Sequence, residues 1–128
     1  MYRANFSDNR VSGKIEKNDE HGGESGYAIY VNASHPPTRR RFTIAHEIAH
    51  FIRHQENIGD GVVEDALYRS AAFTSKMETE ANELAADILM PWTLLNAKLQ
   101  NGMTEIEELA RYFEVSEQAM AIRLGVPQ

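Results

Sequence analysis

The chain has 128 residues, 42% apolar and 25% charged. That is the balance of an ordinary soluble domain with enough chain for one hydrophobic core, and it excludes disordered, fibrous and collagen-like classes. The absence of cysteine rules out disulfides, thiolate metal sites and a Cys nucleophile, leaving His, Asp and Glu as the only metal-holding side chains. The net charge of −6 is uneven: eight basic and six acidic side chains in residues 1–54, five and thirteen in 55–128, so the second half repels phosphate and direct nucleic-acid binding is disfavoured.

No stretch is long and apolar enough to cross a bilayer and the N-terminus lacks the apolar region of a signal peptide, so the expectation is a cytoplasmic protein without membrane contact. The first ten residues are polar and read as a frayed terminus. Residues 11–15 and 27–31, rich in β-branched and aromatic side chains and separated by Gly- and Asn-rich turn chemistry, predict a hairpin. After Pro36-Pro37, Thr38 is positioned to cap a helix whose apolar residues Phe42, Ile44, Ala45, Ile48, Ala49 and Ile52 recur with helical spacing, and which should end between His54 and Gly59. Residues 60–74 are ambiguous, with a short strand at 66–70 the best reading.

A capping box from Ser75 to Glu78 predicts a second helix with Ala81, Leu84, Ala85, Ile88 and Leu89 on one side, interrupted at Met90-Pro91. A short helix over residues 92–99 should stop at Asn101-Gly102. A further capping box from Thr104 to Glu107, an N-cap at Ser116 and a stop at Gly125 predict two short C-terminal helices. Their apolar stripe, Ile106, Leu109, Ala110, Phe113, Val115, Met120 and Leu124, reads as core, and residues 102–128 carry a net −3, unlike a DNA reader. Arg39-Arg40-Arg41, the one basic cluster, reads as a solvated helix face sooner than as a nucleic-acid or acidic-partner patch.

The chemistry concentrates in His46-Glu47-Ile48-Ala49-His50. Four residues advance a helix by about 400°, so two His at this spacing share a face about 6 Å apart along the axis and can grip one ion, while Glu47, about 100° round, is placed to act on water instead of ligating. The bland alternative is two histidines on an amphipathic helix with an exposed Glu between them. A catalytic zinc usually takes three protein ligands. Glu78 qualifies as the third because Asn82 follows one turn later and could orient a ligating His through its ring N–H. Glu80 and Glu83 compete, and any of the three acids could merely complement the helix dipole.

Arg41-Phe-Thr-Ile-Ala-His-Glu-Ile-Ala-His50 followed by Glu78-Thr-Glu-Ala-Asn-Glu-Leu-Ala-Ala-Asp-Ile-Leu-Met-Pro91 resembles the two signature blocks of the ImmA/IrrE family of zinc-dependent metallo-endopeptidases. Residues 109–124 are similar to the helix-turn-helix-like segment that follows those blocks. The resemblance implies one zinc ion held by His46, His50 and Glu78, with Glu47 as catalytic acid/base. The spacing from Glu78 to Asn82 is similar to the ligand helix of the wider gluzincins and favours Glu78 over Glu80. One departure is Leu84, where relatives commonly carry Phe, and it bears on packing alone.

The implied fold is α+β and zincin-like: a small antiparallel sheet, an active-site helix, a second ligand-bearing helix and a C-terminal helical hairpin, with residues 1–101 forming the protease domain and 102–128 packed on it. The implied substrate is a helix-turn-helix repressor or antitoxin-type partner. A non-proteolytic regulatory module with a structural metal or none is the rival. Stabilising the oxyanion of peptide hydrolysis needs a donor beside the metal, for which His54 and Tyr68 are available, though His54 could simply close the helix and Tyr68 be a half-buried strand aromatic. An extended substrate could add as a strand to a sheet edge, residues 27–31 being preferred over 66–70 for their cleaner alternation.

Overall fold

The computed structural model describes residues 2–4, 10–58 and 73–127. The expected strand at 66–70, and Tyr68 with it, lie outside these residues. Three strands, β1 (Tyr2–Ala4), β2 (Gly13–Lys17) and β3 (Tyr27–Asn32), form a sheet in the order β1-β3-β2. The hairpin is present as antiparallel β2 and β3, with Gly13 opposite Val31 and Lys17 opposite Tyr27. It reaches two residues further along β2 than the residue pattern suggests, because Asn18 closes the turn. The Asn18 side chain accepts from the N–H groups of Glu20 (3.0 Å) and His21 (2.9 Å), while the Asn18 backbone N–H donates to the Gly26 carbonyl at 2.9 Å.

Two sheet expectations are corrected. The start of the chain is not simply frayed: β1 pairs parallel to β3, Tyr2 opposite Tyr30, so the sheet is mixed. The Tyr2 ring stacks on Tyr30 with centroids 5.4 Å apart, and its hydroxyl donates to the His21 carbonyl at 3.0 Å. As a result β3 is the central strand, and residues 27–31 are not the free edge that strand addition requires.

Helix α1 (Pro37–Arg53) lies across β2 and β3 and packs along α2 (Ser75–Leu89). Thr38 is not its cap. Pro36 occupies that position without a side-chain bond, and Pro37, which has no N–H to satisfy, opens the first turn. The helix closes at His54, whose N–H donates to the His50 carbonyl at 2.7 Å. Ala45 and Ala49 on α1, and Ala81 and Ala85 on α2, are all buried. Where small side chains face one another, helix axes can approach closely, and this approach brings residues of α2 within reach of the His46–His50 face. Gly13 serves the same economy between sheet and helix, since a Cβ there would stand 2.5 Å from the Tyr30 carbonyl oxygen and 2.6 Å from the Thr43 methyl. Ile52 and Ile88, expected on apolar faces, are exposed. In the last turn of α1 it is Phe51 that turns inward, edge-on to Tyr27 at 5.1 Å.

Among the described residues three short helices follow: α3 (Trp92–Gln100), α4 (Ile106–Phe113) and α5 (Glu117–Arg123). Ser116 caps α5 by accepting from the Ala119 N–H at 3.0 Å. The capping box expected at Thr104 is absent, since α4 starts after Glu105 with no side-chain bond. One core joins Ala45, Ala85, Leu89 and Met90 to Leu95, Leu109, Phe113, Val115 and Met120. In the arginine cluster Arg39 is exposed, with a 3.3 Å bond to the Ser12 hydroxyl, while the half-buried Arg41 donates to the Phe113 carbonyl at 3.0 Å and Arg40 to the Ala33 carbonyl at 3.2 Å. Among the described residues no helix is long and apolar enough to cross a membrane.

Candidate metal centre

The site is built where α1 and α2 face each other. His46 and His50 project from one side of α1 with their Nε2 atoms 3.1 Å apart. Glu47 is almost completely buried, and its carboxylate lies within 4.8 Å of donor nitrogens on both histidines.

Glu78 reaches this pair from the first turn of α2. The capping box expected between Ser75 and Glu78 does not form. Thr74, one residue earlier, caps the helix by accepting from the Met77 N–H at 3.1 Å. That shift has a chemical consequence: the Glu78 carboxylate is not spent on its own helix end, and its Oε1 lies 2.5 Å from His50 Nε2 and 3.4 Å from His46 Nε2. Three donor atoms therefore converge on one point. A tetrahedral zinc with bonds of about 2.0–2.1 Å holds its ligand atoms roughly 3.3 Å apart. Two of the three separations match, and the third is shortened to a direct imidazole–carboxylate contact. Two imidazoles and a carboxylate are also the donor set of a hydrolytic zinc that keeps one position open. The residues fit such an ion.

The charge states suit it as well. Burial pushes the His50 imidazole below its ordinary value of 6.5, against the hydrogen bond with Glu78 that works to raise it, so a lone pair is available at neutral pH. Burial also works to raise Glu78, but hydrogen bonds from His46 and His50 and their positive potential outweigh it and hold the carboxyl well below the usual carboxylate range. The site is closed at His50, whose side chain has no exposure, and open at Glu78, whose side chain is 39% exposed.

Around these residues lies a second layer. Asn82 Oδ1 stands 2.8 Å from His46 Nδ1, which it holds as an N–H donor if Nε2 is to carry the lone pair. His54 is buried with both ring nitrogens engaged: its Nδ1 is 2.9 Å from His50 Nδ1 and its Nε2 is 3.2 Å from Glu80 Oε1. Glu80 thus stands on His54, away from the converging donors. Glu83 lies on a groove of about 980 Å³ whose lining also includes Phe42, Asn82, Ala86, Met90 and Ile122. Phe73 stacks on the His50 ring, centroids 3.8 Å apart and planes 14° from parallel.

The sequence profile described as the IrrE N-terminal-like domain, a peptidase family, matches residues 3–125. The chain belongs to that family. A curated relative, the radiation response metalloprotease IrrE of Deinococcus radiodurans, is 37% identical over 91 residues, which cover 69% of this chain and 27% of that protein. The chain thus spans little more than a quarter of the curated relative it matches. Membership of a metallopeptidase family implies a metal, the small α+β architecture is the one expected of such a fold, and the His46, Glu47 and His50 cluster is the matching feature.

Two contributors escaped the sequence reading. Phe73 precedes α2 with no motif around it, and its stacking depends on how a distant segment returns to α1. The pairing of His54 with Glu80 carried half a signal: His54 is one turn beyond His50, but its partner could be known only once α2 was set against α1.

Proposed function

We propose that this chain is a zinc-dependent endopeptidase acting inside the cell on a protein partner, a helix-turn-helix repressor or an antitoxin-type regulator. The observation that carries the reading is the convergence of His46 Nε2, His50 Nε2 and Glu78 Oε1 beside the buried Glu47 carboxylate. His46, His50 and Glu78 would hold the ion, and Asn82 would orient His46. Zinc in such a site supplies Lewis acidity, bringing the pKa of water towards neutrality and polarising a peptide carbonyl. Glu47 accepts the proton of the attacking water on a carboxylate oxygen and delivers it to the leaving amine nitrogen. The exposed flank at Glu78 admits the peptide, while the Phe73 side excludes water.

An extended substrate segment would add to an outer strand, where main-chain hydrogen bonds align the scissile carbonyl without reading many side chains. With β3 interior, we assign this role to β2, because its Ile15 packs in one cluster with Phe73, the residue stacked on His50. Specificity would then come from exposure of a flexible segment in the partner and from docking elsewhere.

Incubation of zinc-loaded wild type and Glu47→Gln with candidate regulators and a denatured control, followed by mass spectrometry, tests the proposal. The expected outcome is a single cut in one regulator by wild type, with Glu47→Gln still binding one zinc but at least about 10²-fold slower. Full turnover by Glu47→Gln would remove that residue from the mechanism. Zinc binding without cleavage of anything would favour a binding module.

A further inference from the structure

His50 is backed by a chain of polar contacts for which the proposed reaction has no direct use: His50 Nδ1 to His54 Nδ1 at 2.9 Å, then His54 Nε2 to Glu80 Oε1 at 3.2 Å. We propose that His54 and Glu80 are positioning residues, a relay that fixes His50 in the tautomer presenting the Nε2 lone pair to the metal. The inference rests on the reading of His50 as a ligand.

The argument is one of proton counting. Two nitrogens 2.9 Å apart share one hydrogen, which belongs either to His50 or to His54. If His54 Nδ1 carries it, a neutral His50 bears its own proton on Nε2, the atom that faces the metal. His54 Nε2 then turns a lone pair towards the Glu80 carboxylate, and two acceptors oppose each other. If His50 Nδ1 carries it, His50 Nε2 is free to ligate, His54 Nδ1 accepts, and the His54 proton sits on Nε2, where Glu80 accepts it. With a metal taking the Nε2 lone pair opposite Glu78, only the second arrangement satisfies every group, and the Glu80 carboxylate selects it from two bonds away; without the metal that lone pair would face the Glu78 carboxylate, 2.5 Å from Nε2.

The geometry is held as well as connected. His54 is buried, its backbone N–H is bonded to the His50 carbonyl at 2.7 Å, and its ring lies 6.1 Å from that of Phe73, which stacks on His50. Ligating histidines are commonly oriented by a carboxylate or carbonyl on the other ring nitrogen. Here an imidazole is interposed, because Glu80 on α2 lies beyond the far side of His54. The other histidine, His46, makes its contact in one step, to Asn82 at 2.8 Å.

Zinc affinity of the purified chain, measured by competition with a chromophoric chelator, reads this directly. His54→Leu, which keeps bulk but offers no acceptor, should bind zinc about 10- to 100-fold more weakly. His54→Asn, whose Oδ1 falls near the position of Nδ1, should recover most of the loss, and Glu80→Ala should show a smaller weakening of a few-fold. On wild type loaded with zinc and labelled with ¹⁵N-histidine, long-range proton–nitrogen spectra should show His54 protonated on Nε2 alone, with coupling across the hydrogen bond from His50 Nδ1–H; this measurement does not depend on any variant folding. Tight zinc binding unaffected by His54→Leu, or a proton found on His54 Nδ1, would overturn the relay while leaving the metal reading intact. Wild-type protein that takes up no zinc would overturn that reading and the relay with it.

Discussion

His46 and His50 stand four residues apart on one helix and occupy opposite surroundings. His50 has no exposed surface, stacks on Phe73 at 3.8 Å, and touches His54 and Glu78 with its two nitrogens. His46 keeps 15% of its side chain exposed and is held from behind by one residue, Asn82, itself exposed. One end of the donor set is therefore part of the core and the other is part of the rim. In the proposed site the buried end would anchor an ion and the exposed end would be where ligands exchange.

The comparison can be broken most directly by truncating each imidazole in turn. In zinc-free protein, His50→Ala leaves a cavity beneath Phe73 and strips partners from both His54 and Glu78, so urea denaturation in the presence of a chelator should show a loss of about 3 kcal/mol. His46→Ala, on the rim, should cost about 1 kcal/mol or less. Equal losses would mean that the two histidines are not divided between core and rim.

Their supporting residues sharpen the same contrast. Phe73→Leu should lower zinc-free stability by about 1–2 kcal/mol, because it replaces a stacked ring with a smaller side chain. Asn82→Ala should leave stability within about 0.5 kcal/mol and weaken zinc binding roughly tenfold, since it removes only the acceptor that orients His46. A large stability loss for Asn82→Ala, measured in the same denaturation series, would place His46 in the core after all.

The smallest effect is on pH. His50 has a folded value below 6.5, so the unfolded chain takes up its proton more readily and zinc-free stability falls as pH drops below about 6.5. Glu78 is held below 4.5; its contribution is complete above that pH and is lost as pH falls through the folded value, a change reduced by solvent screening at a side chain 39% exposed. Thermal melts in chelator should therefore show stability declining on acidification, with the upper limb flattened in His50→Ala. Stability that rises as pH falls through 6.5 would have the wrong sign for a neutral, buried His50.

What could be read from sequence divides along similar lines. The spacing of His46, Glu47 and His50 is a local helical property, and so are the Ser116 cap and the apolar stripe of α4 and α5; their relations are settled within a turn or two. From its local pattern Glu78 was one of three acids, and the family resemblance favoured it; that it reaches the imidazoles depends on the register of α2 against α1, set by the buried alanines of both helices. The Thr74 cap shows how a shift of one residue escapes pattern reading: Ser75 and Glu78 fit a capping box, yet the neighbouring Thr74 serves and leaves the Glu78 carboxylate for the imidazoles. The same holds for β3. Its alternation was clear, but whether it is an edge depends on residues 2–4 pairing with it from the other end of the sheet. Long-range partners of this kind leave no local trace.

The central claim is that His46, His50 and Glu78 make one metal site, with Glu80 outside it. Zinc content per chain, measured by elemental analysis after equilibration with a modest excess of zinc and removal of unbound metal, tests this in three samples. The account predicts one zinc per chain in wild type, loss of it in Glu78→Ala, and retention at weakened affinity in Glu80→Ala. A full zinc equivalent held tightly by Glu78→Ala, with loss in Glu80→Ala, would contradict it.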